Sequence, residues 1–323
     1  MYRYIVTRLL LAIPTLAGAA ALVFVLMRLI PGDVCVIRLG AGGAHVDQAS
    51  LATCRQQLGL DDPMIVQFLD FLWSYATLNF GTSMWSGNPV AYEIAIRLPV
   101  SLQIAVMATV IAVLIAIPLG TISALKENTW LDHIVRVIAI AGIATPSFWL
   151  GIMSIVLVLD ITFLATGHAW RPPITYVSFW KDPWENLAIV LLPAITVGYR
   201  YSAVTMRLTR SAMLEVLRED YIRTARAKGL LEQIIVNRHA LKNALLPVVT
   251  LIGIEFAFLI GGLVVTEQVF NLNGIGRLLV QAVQNQDNVL AQALVMLVVA
   301  VFVIANLVVD VLYAWLDPRI RYS

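Results

Sequence analysis

Two charges of opposite sign, Arg200 and Glu255, stand inside stretches that are otherwise apolar enough to cross a lipid bilayer. A charge at mid-bilayer costs at least about 2.5–3.5 kcal/mol, and such residues face a bundle interior or a wet cavity. Arg200 precedes Arg207 by seven residues, which puts it about 10 Å inside one boundary at the helical rise. Glu255 follows Lys242 by 13 residues, about 20 Å deep by the same rise. Three readings stay open. The two charges compensate each other between neighbouring spans, they line a path and read a charged solute, or Arg200 snorkels along its stem to the boundary. Glu267, near the end of the stretch that holds Glu255, and Asp310, near the end of the last apolar stretch, read as interfacial rather than catalytic. The histidines, His45, His133, His168 and His239, are scattered and make no ligand set, so no metal site is expected. No nucleophile–base constellation stands out, and the chain has no Gly-x-x-x-x-Gly-Lys-Ser/Thr loop to cradle phosphate. The expectation is a chain that is not an enzyme and binds no cofactor itself.

These residues need a membrane to position them. The 323 residues are 60% hydrophobic and 13% charged, against roughly 25% charged in a soluble domain. The net charge of +2 gives no reason to expect a nucleic-acid partner. Residues 9–30 form an apolar run of 22 residues after Arg3 and Arg8. That exceeds the roughly 7–15 residues of a signal-peptide core, so it reads as an uncleaved first span. Further spans are expected over 98–125, 134–159, 187–206, 245–269 and 289–315. Pro118 and Pro146 interrupt two of them, and proline is tolerated in membrane helices. The third span is read as one kinked helix rather than two segments broken at Thr145-Pro146. The fold class is an all-α integral membrane protein of about six transmembrane helices. Of the 22 Lys and Arg, Arg28 and Arg200 fall within spans and six lie on one side: Arg38, Arg55, Arg97, Arg171, Lys181 and Arg277. The remaining 14 share a side with both termini, which the positive-inside rule makes cytoplasmic.

The chain divides into an N-terminal span (1–30), an extracytoplasmic helical segment (31–97), a five-span core (98–316) and a cytoplasmic tail (317–323). In the external segment Asp62-Pro63 reads as an N-cap and N1 proline. The helix it opens carries Ile65, Phe68, Leu69, Leu72 and Trp73 at helical spacing, as a cap packed on the outer mouth of the spans. Cys35 and Cys54 both lie on this oxidising side, where a disulfide is open to them. The other reading is two small apolar residues.

The longest cytoplasmic segment, 207–243, holds eight basic and four acidic residues. Within it, Asp220-Tyr-Ile-Arg-Thr-Ala-Arg-Ala-Lys-Gly229 reads as a short helix with small residues Thr224, Ala225 and Ala227 in its middle. Gly229 stands as its C′ cap, after Arg226 and Lys228 in the last turn. Such a helix suits entry into a groove on another protein, because small side chains permit close approach and the glycine lets the chain turn back. An ordinary basic loop that merely sets topology is the plainer alternative.

The run Glu219-Asp-Tyr-Ile-Arg-Thr-Ala-Arg-Ala-Lys-Gly-Leu230, with Arg238-His-Ala-Leu-Lys-Asn-Ala-Leu-Leu-Pro-Val-Val-Thr250, resembles the cytoplasmic loop of binding-protein-dependent ABC importer permeases. The dipeptide, oligopeptide and nickel branch is the most similar. Ile30-Pro-Gly-Asp33, Gln57-Leu-Gly-Leu-Asp61, Thr209-Arg-Ser-Ala-Met-Leu-Glu-Val-Leu217, Phe270-x-x-x-Gly-Ile-Gly-Arg277, Asn306-Leu-Val-Val-Asp-Val-Leu-Tyr313 and Asp317-Pro-Arg-Ile-Arg-Tyr322 extend the likeness over nearly the whole chain. The resemblance implies that Asp220, Arg223, Thr224, Ala225, Lys228 and Gly229 form a coupling helix docked on an ATPase subunit. Arg223 and Thr224 replace the Glu and first Ala of the general signature, as is common in the peptide branch. The family commonly has an apolar residue near Arg200 and glutamine at Glu255, so both positions depart from its pattern. The implied partners are a second related permease, two ATPase subunits holding ATP and Mg, an extracytoplasmic substrate-binding protein and membrane lipid. The implied cargo is di- or oligopeptides, with glutathione, nickel complexes or another small solute as alternatives. An ATP-independent channel or secondary transporter is the competing class, and it would call for coupling-ion carboxylates or inverted repeats within the spans.

Overall fold

The computed structural model describes residues 2–29, 35, 36, 39, 47–57, 59–173 and 175–316. The Ile30-Pro-Gly-Asp33 motif, Arg38, His45 and residues 317–323 lie outside the described residues. The described chain is helical, with one isolated bridge between Thr82 and Pro89. In order, the helices are α1 (Tyr2–Leu29), α2 (Gln48–Gln57), α3 (Met64–Ala76), α4 (Val90–Leu125), α5 (Trp130–Ala144) and α6 (Ser147–Thr166). Then follow α7 (Pro183–Leu217), α8 (Asp220–Ala227), α9 (Glu232–Gly262), α10 (Val264–Val269), α11 (Ile275–Gln284) and α12 (Asn288–Leu316). Six of them, α1, α4, α6, α7, α9 and α12, are long and apolar enough to cross a bilayer.

The third crossing corrects one expectation. Residues 134–159 are not a single kinked helix. Thr145 and Pro146 are both extended, with ψ of 125° and 137°, and separate α5 from α6. The residue before a proline is pushed out of the helical region, and the proline itself has no N–H to continue the ladder. The order of the crossings survives the break. Gly142 of α5 packs on Ala203 and Tyr199 of α7, and Ser154 of α6 lies 3.3 Å from the Thr196 hydroxyl of the same helix.

The bundle is built on α4 and α7, which run side by side in the same direction. A stripe of small residues on α4, namely Ser101, Ala105, Ala108, Ala112, Ala116 and Gly120, is buried. On Gly198 of α7, a Cβ would stand 2.8 Å from the Ala108 carbonyl. On Gly120, it would stand 2.8 Å from the Met206 carbonyl and Thr209 Cβ. Lipid tails are as apolar as leucine, so helices in a membrane associate by close packing, and small residues allow it. The apolar core continues through Val100, Ile104, Ile189, Val190 and Val197 to Leu259 and Ile260 of α9 and to Leu263 just after it. At the other end of the bundle, Arg8 of α1 pairs with Asp310 of α12 at 3.2 Å.

In the segment between α1 and α4, Cys35 and Cys54 are joined by a disulfide, with Cα atoms 5.9 Å apart. The Asp62-Pro63 start is one residue off its expected position. Pro63 is itself the N-cap, with no side-chain cap bond. The same dipeptide at Asp182-Pro183 does perform the expected cap. There, Asp182 Oδ1 accepts from Trp184 N at 3.0 Å and Glu185 N at 3.1 Å.

Candidate coupling surface and membrane charges

The candidate coupling site is built from the end of α7, the short α8 and the start of α9. Ile222 is fully buried and Ala225 is 8% exposed. They seat α8 in an apolar bed of Ala124, Ala212, Met213, Ile235, Val236, Ala240 and Ala244. Asp220, Tyr221, Arg223, Thr224 and Lys228 face outward. Ala225, expected among the residues meeting a partner, is turned into its own chain.

The helix ends as its sequence demands. Gly229 has φ of +75°, the left-handed region. Its N–H donates to the Arg226 carbonyl at 2.9 Å, and Leu230 N–H donates to the Ala225 carbonyl at 3.4 Å. That pair of bonds is the Schellman closure, which satisfies carbonyls the helix leaves open. Polar ties lock α8 to α9. Arg226 NH2 reaches Glu232 Oε1 at 2.7 Å, and Asn243 Nδ2 donates to the Tyr221 hydroxyl at 2.7 Å. The Glu232 carboxylate beside it raises the Arg226 pKa. The exposed pair Asp220–Arg223, at 3.2 Å, adds little in high dielectric. A π-helical turn, Ile235–Ala240, opens α9.

Below this surface sits a buried ion pair that sequence reasoning passed over. Asp132 of α5 is inaccessible to solvent and accepts from Arg210 Nε and NH2, both at 2.8 Å. Ser123 Oγ and the Asn128 N–H also donate to it. The Arg210 hydrogen bonds hold the Asp132 carboxyl below the usual carboxylate range, despite its burial. The signal was present in the basic Thr209-Arg210-Ser211 motif, but its partner lies 78 residues away. Tyr221 within the helix, 42% exposed, and Leu231 just beyond it, 70% exposed, were also missed.

The two membrane charges are not brought together. Glu255 is half-buried on α9 and accepts from Thr205 Oγ1 of α7 at 2.9 Å. Arg200 is exposed, its guanidinium 6.0 Å from the ring of its neighbour Tyr201. Among the described residues they form no ion pair with each other.

Glu267 departs from its interfacial reading. It is fully buried, accepting from Ser101 Oγ of α4 and from the Arg277 N–H of α11, both at 2.7 Å. Burial pushes its carboxyl pKa up. This accounts for the glycine in Phe270-x-x-x-Gly274, where a Cβ would stand 2.1 Å from Glu267 Oε1. Asp310 meets Arg8 across the bundle instead of facing solvent alone.

A bundle with six helices long and apolar enough to cross a bilayer, no strand among the described residues and a short anchored helix between two of them defines a multi-pass membrane protein. Residues 116–322 match the model of the binding-protein-dependent transport system inner membrane component, and residues 1–105 match that of its N-terminal region. The chain is 42% identical over 323 residues to a "Glutathione transport system permease protein GsiC" of Salmonella choleraesuis (strain SC-B67), covering all of both chains. Proteins of the same name from Pectobacterium atrosepticum and Escherichia coli (strain K12) are 41% and 42% identical over the same full length. The chain therefore belongs to the binding-protein-dependent inner membrane component family. It is a permease subunit of an ABC importer and not an enzyme, and it works with a substrate-binding protein and an ATPase.

Proposed function

We propose that this chain forms one half of the translocation path of an importer for short peptides, with glutathione as the first candidate cargo. The cargo reading draws support from full-length relatives that carry glutathione transport in their names. A second, related permease would complete the path. Two ATPase subunits would bind ATP and Mg on the cytoplasmic side, where both termini would also lie. The excess of Lys and Arg on that side supports this orientation.

The observation that carries the proposal is the seating of α8. Ile222 and Ala225 fix it to the bundle, while Asp220, Tyr221, Arg223, Thr224 and Lys228 are exposed on its outward face. A lever transmits force only if one face is rigidly held and the other is engaged. ATP binding can shift the spans between openings only by favouring one of the two states. In this reading Ala225 and Gly229 shape and hold the lever, and the outward residues grip the ATPase. Gly229→Asp leaves the spans intact but disturbs the turn, so ATP-dependent uptake in reconstituted vesicles should fall. Unchanged uptake together with unchanged ATPase co-purification would defeat the coupling role. Separately, mass spectrometry of what the purified binding protein retains decides the cargo.

Arg200 and Glu255 read best as groups along the path, since they do not pair. Arg200→Ala, Glu255→Gln and the double variant test this through uptake of peptides of differing charge. Independent roles give additive losses, whereas compensation makes the double variant better than the sum.

A further inference from the structure

The extracytoplasmic helix α3 has more apolar surface than the protein covers. At about 100° per residue, its side chains divide into three arcs. Phe68, Phe71, Leu72 and Tyr75 point to the bundle. Gln67, Asp70 and Ser74 line a crevice of about 360 Å³, together with Arg28, Asn79 and Gln292. The third arc is Ile65, Leu69 and Trp73, spaced four apart and 65%, 57% and 70% exposed.

The depth of this third arc follows from the first. Phe24 of α1 stacks on Phe68 at 5.2 Å and Phe71 at 5.7 Å between ring centroids. Arg28 NH2 donates to Gln67 Oε1. Moving along α3 from Gln67 to Phe71 thus means moving down α1 from Arg28 to Phe24, away from its outer end. Phe71, Leu72 and Tyr75 continue onto the cluster of Ala20 and Val23. From Leu29, the last residue of the span, Ala20 is nine residues inward, about 13 Å at the helical rise. The helix does not stand above the membrane. It lies beside the outer third of the first span.

At this depth α1 itself presents apolar side chains outward on the side away from Phe24 and Arg28: Leu22, Leu26 and Leu29 are 60%, 51% and 72% exposed. The apolar ridge of α3 lies at the same depth along the span as these lipid-facing residues. Trp73 sits at its edge, and Trp85, Trp180 and Trp184 on other external segments are 63%, 92% and 83% exposed. Tryptophans collect at the level of the lipid headgroups. An apolar arc on one side, with a polar arc turned to a wet crevice, is the pattern of a helix lying in the membrane interface.

We infer that α3 is an interfacial membrane helix whose Ile65–Leu69–Trp73 edge is buried among the acyl chains of the outer leaflet. Its partner is lipid rather than the substrate-binding protein or the second permease. The inference rests on the membrane placement of α1 and is independent of the cargo.

The test uses the full chain, assembled with its partner subunits, in nanodiscs of phosphatidylethanolamine and phosphatidylglycerol. A nitroxide is placed at Ile65→Cys, Leu69→Cys or Trp73→Cys, with Asp70→Cys as the crevice control. The native cysteines are held in their disulfide. Collisional relaxation by oxygen relative to a water-soluble nickel chelate should be severalfold higher at 65, 69 and 73 than at 70. High nickel accessibility at the three sites would mean water covers the ridge and would overturn the inference. Protection from both reagents would mean a protein covers it and would overturn it equally. Where a labelled variant fails to assemble, quenching of native tryptophan fluorescence by brominated lipid decides. It should weaken in Trp73→Phe, and unchanged quenching counts against the inference.

Discussion

Two short helices, α3 and α8, flank opposite ends of the same bundle and are held in opposite ways. Of the eight residues of α8, Ile222 and Ala225 are buried in an apolar bed, and a glycine closure ends the helix. Of the 13 residues of α3, none is buried, although the helix is the more apolar of the two. The contrast shows that apolarity alone does not say how a helix is held. α8 binds its own chain with its apolar residues and offers Asp220, Tyr221, Arg223, Thr224 and Lys228 outward, a face suited to a soluble protein. α3 offers Ile65, Leu69 and Trp73 outward, a face suited to lipid.

The strongest way to break the contrast is at the floor beneath α8. Asp132→Ala leaves Arg210 without its buried partner and should cost about 3–5 kcal/mol, read as a lower melting temperature of the purified chain. Its pH dependence follows from the sign of the shift. The folded carboxyl is held below its ordinary value near 3.9, so its contribution is complete above that value and lost as pH falls beneath it. The melting difference between wild type and Asp132→Asn should therefore be constant from neutral pH to about pH 5 and narrow under stronger acid.

Next in size is Ile222→Ala, which empties the bed of α8. A cost of about 2–5 kcal/mol is expected for a fully buried isoleucine, together with loss of uptake. Gly229→Ala forces a side chain into the left-handed region and should cost about 1–2 kcal/mol, while Gly229→Asn costs less because asparagine tolerates that region. Melting curves of the three variants rank them. At the small end, Leu69→Ala on the exposed edge of α3 should change the melting point of the detergent-purified protein by less than about 0.5 kcal/mol equivalent. A large effect there would mean that α3 is held by packing after all, and the contrast with α8 would fail.

Residue types alone were enough for the membrane class, the number of crossings and the existence of α8 with its stop at Gly229. Each depends on a local property: a long apolar run, a short polar segment, or a residue that tolerates positive φ. The break at Thr145-Pro146 was legible as a possibility, and the backbone settled it, with both residues extended between the two helices. What stayed hidden involves partners distant in the chain. The Asp132–Arg210 pair, the inward turn of Ala225 and the burial of Glu267 against Ser101 each join residues that no local pattern links. The stripe from Ser101 to Gly120 was visible as small residues, but only the approach of Gly198 to the Ala108 carbonyl shows that it is the seam of the bundle. The chain's chemistry determined that it must enter a membrane, since apolar runs of this length have no other stable solvent. Which faces meet protein, water or lipid was decided by tertiary packing, because helical periodicity defines a face and says nothing of what lies against it.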